Sequence, residues 1–515
     1  MSIERTLDVK LNVKPVFVAM HHDYVFEGPC RFGSGVGLTK DFDLKINQEI
    51  YAAFLADVET YVAKEVNLLE PVFIDRNEEF AVTDAMLAKM AGHVEEVDVY
   101  LFGQAGRGFD VIIEFAQRYK KPVMFAENAL HITCSAAPIL ARGLEAYPTM
   151  CWEDTVEKLK LLRVRKALQQ TKVLLAPRGN SNISLSALDS FLSLEKVSDV
   201  LGVKFRYVDV HELLDQTRHV AADSNHTTPG VSGLNPTDAE MKEINALTDK
   251  MIAGAVECDM TRENVLRSVM AYATVKKFLA HNECNAFSMP CPDACATRRL
   301  NQEKITPCFI HSMLNEEGIP SACEYDIPAL MSMVVLMNLA NAAPYMGNTF
   351  PTLLKNGKRV NVRPTFFRAD QSQEQDIPEL GEQENVMLTF HSVPNRKMKG
   401  FDSAESSYAL RAFARDAEFG ATIRYDFKKD IGQTITMCRF DPTCSKLFAA
   451  KGTIVGGVGY ADKNCSEGVF FTVKSDKDFF NKQVAFGNHV PLVYGDHLDD
   501  LIALGELLGM EIVTA

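Results

Sequence analysis

The chain has little that would take it out of water. No stretch reaches the roughly 18 uninterrupted apolar residues of a membrane span. The longest candidate, residues 329–343, carries Asn338 and Asn341. The opening MSIERTLDVKLNVKP lacks the apolar core of a secretory signal, so a cytoplasmic setting is expected. The 12 cysteines form no C-x-x-C pair, and only Cys291 and Cys295 lie at a spacing that zinc tolerates, with no second pair to complete it. Reduced, mostly packed thiols are therefore expected. Positive charge is also short, with 54 Lys and Arg against 68 Asp and Glu for a net charge of −14. An acidic surface repels phosphate backbones and anionic lipid, which excludes nucleic acid and membrane as partners.

What is present is an ordinary globular composition, 47% hydrophobic and 24% charged, in a chain of 515 residues that exceeds one compact core. From residue 14 short apolar runs alternate with amphipathic stretches. PVFVAM, PVFID, VDVYLFG and PVMFA read as strands, while residues 46–66 and 110–120 carry apolar positions at helical spacing. This alternation predicts a parallel sheet covered on both faces, in a first α/β domain over residues 1–170. The pattern restarts at TKVLLAPRG. FRYVDV, AFSMPC and GIPSACEYD read as strands, with long helices at 236–258 and 261–281 and a loop, AADSNHTTPGVSGLN, before them. A second α/β domain over 171–350 follows. Beyond Phe350 come NVRPTFFRAD, NVMLTFHSVP, ATIRYDF, TITMCRF, GTIVGGVGY and EGVFFTVK, short β-rich runs that predict a mostly β, barrel-like third domain over 351–515, closed by a helix at 498–510. The expected fold is thus α/β: two doubly wound parallel-sheet domains and a β-rich C-terminal domain.

Chemistry concentrates in HSMLNEEGIPSACEYDIPALMSMVVLMNLANAAPYMGNTF, residues 311–350. A strand there ends on Glu324. Asp326 precedes Pro328, which suits the first turn of a helix, and that helix is apolar nearly all round, hence buried. A carboxylate at the carboxyl end of a buried strand sits where open α/β sheets bind ligands. It needs a partner: a helix N-terminus, an arginine, or a metal ion. His391, at the end of LTFHSVPNR, and His489, in AFGNHVPLVYGDHLDDL, are the candidates that tilt the choice toward metal. Each histidine alone reads as a satisfied structural residue. Together with Glu324 they form an oxygen–imidazole donor set suited to Mn²⁺, Co²⁺ or Mg²⁺.

The run NEEGIPSACEYDIPALMSMVVLMNLANAAPYMGNT, with FHSVP and GNHVPLVYGDHLDDLIALGELLGMEIV downstream, resembles the L-fucose isomerase and L-arabinose isomerase superfamily, in segment order across the whole chain. That resemblance implies an aldose–ketose isomerase using a cis-enediol and one divalent metal, Mn²⁺ by family expectation, in a homo-oligomer, trimer or hexamer. It implies Glu324 as metal ligand and catalytic base, His489 as a metal ligand, and His391 near the metal as a substrate contact. The family's second acidic position falls on Asn348, which can ligate through its amide oxygen but cannot act as a base. Asp326 and His391 are then the candidates for the second acid/base function. The glycine-rich RFGSGVGLT, headed by Arg31, reads first as a tight βα turn; in the isomerase reading it lines a cleft with Arg31 as a substrate contact, and His21 and His22, after the first strand, either contact substrate or merely end the strand.

Two other classes remain open at this point. LFGQAGRGFD with Glu127 outlines a dinucleotide-binding unit, although its glycines fall as G-x-x-G-x-G, and this would make the protein an NAD-dependent oxidoreductase. Paired α/β domains also build non-enzymatic sugar-binding proteins.

Overall fold

A computed structural model describes residues 3–23, 39–77, 81–105, 108–126, 129–178, 193–219, 233–355, 358–362, 374–376 and 380–515. Arg31, most of the RFGSGVGLT loop, Gly106, Glu127 and most of AADSNHTTPGVSGLN and NVRPTFFRAD lie outside these residues. The chain divides into two compact units, one formed by Val9–Arg163 and the other by Met1–Asp8 with Val164–Ala515.

In the Val9–Arg163 unit, apolar runs form an all-parallel sheet. Strand Asn12–His21 is central. Asn67–Leu68 and Val72–Asn77 pair along one edge, and Val99–Ala105 along the other. Val123–Phe125 and Ala146–Pro148 extend the sheet beyond Val99–Ala105. The central strand is buried over eight consecutive residues, from Val13 to Met20, which accounts for its unbroken apolar character. Helix Phe109–Tyr119 falls where its 3.6-residue periodicity predicts, burying Val111, Ile112, Phe115 and Ala116.

The larger unit holds a second parallel sheet, in the order Lys204–Tyr207, Lys172–Leu175, Ala286–Met289, Ser321–Cys323. Its apolar residues share one cluster with Tyr408, Leu410, Ala421 and Ile423, so the parallel layer and part of the later chain are packed as one core. Helix Pro307–Glu316 precedes the edge strand and is buried at nine of its ten positions. Sequence periodicity does not reveal it, because a helix buried on every side has no polar stripe. Helix Ile327–Ala340 was expected to be buried all round and is: every residue from Ile327 to Asn338 is buried. Truncating one of its leucines, such as Leu330, to Ala would cost about 2–5 kcal/mol.

The remaining sheet is mostly antiparallel. Asn348–Pro351, Val386–Phe390, Gly468–Thr472, Lys446–Val458, Thr434–Phe440 and Leu492–Tyr494 follow one another across it, with Glu511–Thr514 added in parallel to Lys446–Ala449. Two isolated bridges, Tyr345 with Leu492 and Asn348 with His489, join the two ends of this path. Tyr345 N–H donates to Leu492 O at 2.9 Å and Leu492 N–H returns the bond at 2.8 Å. The ring of pairings therefore closes, and its seam carries His489. Among the described residues no helix is long and apolar enough to cross a membrane, and the described cysteines are free thiols.

Candidate metal centre

Glu324 follows the edge strand Ser321–Cys323 and is almost fully buried, with 7% of its surface exposed. The strand does not run on through it. Glu324 and Tyr325 both adopt the left-handed backbone, with φ of 60° and 63°. Such a conformation costs a side-chain-bearing residue about 1–3 kcal/mol and gathers at functional sites. The turn redirects the chain into helix Ile327–Ala340. Asp326 caps that helix, its Oδ1 accepting from Ala329 N–H at 2.9 Å.

The turn brings Glu324 to both sequence-predicted histidines. His391 Nε2 lies 3.3 Å from Glu324 Oε1, and His489 Nε2 lies 3.7 Å from Glu324 Oε2. Both rings are fully buried, and their centroids are 5.5 Å apart at a steep angle. One ligand atom from each of Glu324, His391 and His489 falls within 4.8 Å of the others.

His391 sits just past strand Val386–Phe390, with its N–H donating to Glu467 O at 2.8 Å. The Tyr345 hydroxyl lies 2.9 Å from the carbonyl oxygens of both His391 and Glu467. Ser392 N–H donates to His391 Nδ1 at 3.1 Å. A backbone N–H can only donate, so Nδ1 accepts, and in the neutral ring the hydrogen is on Nε2, facing Glu324.

His489 is held the other way. Its Nδ1 lies 2.9 Å from Asp326 Oδ2. That carboxylate is also paired with Arg439, with Nη1 to Oδ2 at 2.9 Å and Nη2 to Oδ1 at 3.2 Å. Paired with a guanidinium, Asp326 accepts, so His489 donates from Nδ1 and turns the Nε2 lone pair toward Glu324. An imidazole lone pair and a carboxylate oxygen facing each other across 3.7 Å, a gap wider than a hydrogen bond, is the chemistry of a cation site. The donor set thus fits a divalent ion through Glu324 and His489.

Asp326, a candidate acid/base residue from the sequence, has both oxygens engaged by Arg439, His489 and the Ala329 N–H. Asn348 lies next to the group through its bridge to His489, and its Oδ1 accepts from the Asn488 amide. His21 belongs to the Val9–Arg163 unit, where it ends the central strand and meets Asp75 at 2.9 Å and Asp23 at 3.7 Å. Its neighbour His22 is buried against Asp43 at 2.7 Å.

Sequence reasoning missed three contributors. Arg439 is fully buried and anchors the site from strand Thr434–Phe440, donating from Nε to Phe486 O and from Nη1 to His489 O, each at 2.6 Å. Its signal was the lone charge in the buried, otherwise uncharged strand TITMCRF. Gly487, with φ of 125°, permits that approach: a methyl there would lie 2.5 Å from Arg439 Nη2. His311, on the buried helix Pro307–Glu316, meets Ser321 Oγ at 2.7 Å, and burial, followed by the proximity of His391, pushes its pKa down to about 3.

No family model matches the chain. Its relatives among characterised proteins include the sulfoquinovose isomerases of Priestia aryabhattai and of Priestia megaterium (strain ATCC 12872 / QMB1551). Each is 22% identical over 368 residues, covering 70% of this chain and 68% of the relative.

Proposed function

We propose that the protein is a metal-dependent aldose–ketose sugar isomerase acting through a cis-enediol. The observation that carries this reading is the buried convergence of Glu324, His391 and His489, drawn from three distant segments. The similarity to sulfoquinovose isomerases supports it from an independent direction.

Isomerisation moves one hydrogen between C1 and C2 of the sugar. Glu324 and His489, with Asn348 adjacent, would hold a divalent cation, Mn²⁺ by expectation and Co²⁺ or Mg²⁺ as alternatives, which would supply Lewis acidity for the isomerisation. Glu324 takes the C2 proton of the aldose and returns it at C1. His391, whose Nε2–H faces the same carboxylate, carries the accompanying proton between O1 and O2. Asp326 holds His489 in the tautomer the site needs, its two oxygens engaged by Arg439, His489 and the Ala329 N–H. Asn348 is a polar contact, through an amide oxygen that retains a second lone pair. Arg31 and His21 remain proposed substrate contacts, and a homo-oligomer remains the proposed assembly.

The test is a substrate panel with added Mn²⁺, read as ketose formation. It includes L-fucose, L-arabinose and other neutral aldoses, together with the sulfonated hexose that the relatives' name supplies. Turnover of at least one sugar, abolished by a chelator and restored by Mn²⁺, is the expected result. Saturable sugar binding with no turnover would replace this reading with a binding protein, and nicotinamide-dependent oxidation would replace it with a dehydrogenase.

A further inference from the structure

We propose that Cys291, Cys323 and the carboxylate of Glu324 form a second cation site, for thiophilic divalent ions such as Zn²⁺ or Cd²⁺, which shares Glu324 with the histidine group. The two sulfurs lie 3.7 Å apart, and one ligand atom from each of the three residues falls within 4.8 Å of the others. Adjacent parallel strands create this placement. Met289 is in register with Cys323, and Cys291 follows two residues later at the start of helix Cys291–Ala296. The partner of Cys291 is thus a residue 32 positions away in the chain, not Cys295, whose side chain is exposed.

The separation suits a metal better than a covalent link. Two sulfurs each about 2.3 Å from a tetrahedral ion stand roughly 3.7–3.8 Å apart. A disulfide would require them to close to about 2.05 Å. Cys323 is fully buried at the strand end, while Cys291 is partly exposed and gives an ion a way in. On binding, each thiol releases its proton to solvent. Two thiolates, one carboxylate and one divalent ion leave a complex of net charge −1, with no change of oxidation state. Soft ions prefer this sulfur set, whereas Mn²⁺ and Mg²⁺ prefer oxygen and imidazole.

Glu324 belongs to both groups, so a soft ion on the thiols withdraws the carboxylate from proton transfer. This inhibitory consequence rests on the isomerase reading. The binding itself does not.

The experiment titrates the full, chelator-stripped chain with Co²⁺ alone and records the near-ultraviolet thiolate-to-cobalt charge-transfer band. A band that saturates at one equivalent, is displaced by Zn²⁺, is lost in Cys291→Ser and is kept in Cys438→Ala is the expected result. No band at saturating Co²⁺, or an equal band in Cys291→Ser, overturns the site. Independently, Zn²⁺ inhibition of Mn²⁺-dependent turnover should weaken in Cys291→Ser by about tenfold or more, since loss of even an outer ligand partner costs about 10–100-fold in metal affinity. Unchanged Zn²⁺ inhibition in that variant overturns the sharing of Glu324. If no sugar turns over, the cobalt band alone decides the site, and only the isomerase reading has failed.

Discussion

Asp326 and Arg439 form a fully buried ion pair, Oδ2 to Nη1 at 2.9 Å, between the cap of helix Ile327–Ala340 and strand Thr434–Phe440. The same Asp326 oxygen lies 2.9 Å from His489 Nδ1, and the same Arg439 nitrogen bonds the His489 carbonyl at 2.6 Å. One pair therefore fixes the backbone, the tautomer and the ring orientation of a candidate ligand. Breaking a buried pair by removing one charge costs about 3–5 kcal/mol. Asp326→Asn is expected to lower stability by that order and to weaken Mn²⁺ binding about 10–100-fold. Chemical unfolding and metal titration measure the two effects separately. Unchanged metal affinity would show that His489 does not depend on Asp326.

Glu324→Gln keeps the volume of the side chain and removes its ability to accept a proton. Turnover should fall by about 10²–10⁴-fold, the usual contribution of a positioned acid/base group, while the thermal unfolding midpoint stays within a few degrees. Steady-state assay and calorimetry on the same preparation check both. Near-normal kcat would remove Glu324 from the role of base.

Gly487→Ala places a methyl 2.5 Å from Arg439 Nη2 at a φ of 125°, which side chains rarely adopt. Overpacking and backbone strain together should cost about 1–3 kcal/mol. The displaced guanidinium should also loosen His489, so metal affinity falls along with stability. Gly432→Ala, at a φ of 91° with open space around it, controls for strain alone. Equal metal affinity in the two variants would separate Gly487 from the site.

Asn348→Asp should fold normally, because a carboxylate accepts the Asn488 amide hydrogen as well as the native oxygen does. With a charged oxygen restored beside His489, Mn²⁺ affinity should rise and the preference among aldoses should change. Identical rates across the panel would mark the position as structural.

His311 makes stability depend on acidity. Its folded pKa of about 3 lies below the unfolded value near 6.5, so the unfolded chain binds the extra proton first. The stabilisation is fully present above about pH 6.5 and is lost as pH falls toward 3. At about 1.36 kcal/mol per unit the loss is on the order of 4–5 kcal/mol. Urea unfolding at a series of pH values should show this slope, flattened in His311→Asn. An unaltered slope in the variant would assign the acid sensitivity to other groups.

Much of the fold was legible because period-2 and period-3.6 patterns record which face of a segment meets the core. Strands Asn12–His21, Val386–Phe390 and Thr434–Phe440 and helix Arg262–His281 fall within a few residues of their sequence expectations. Helix Pro307–Glu316 did not show, because burial on every side erases the stripe. Glu324 was predicted to end a strand and instead stands in a left-handed turn, a conformation its side chain does not encode.

By itself the sequence determined the local elements, the apolar helix at 327–340, and the identities of Glu324, His391 and His489 as donors worth pairing. Only the tertiary structure decided that these three meet, that Asp326 is locked by Arg439, and that Cys291 finds Cys323 and not Cys295. The physical reason is range. Periodicity and capping act over a few residues. The site is assembled by strand register and by closure of the β-rich sheet, which join positions tens to more than a hundred residues apart.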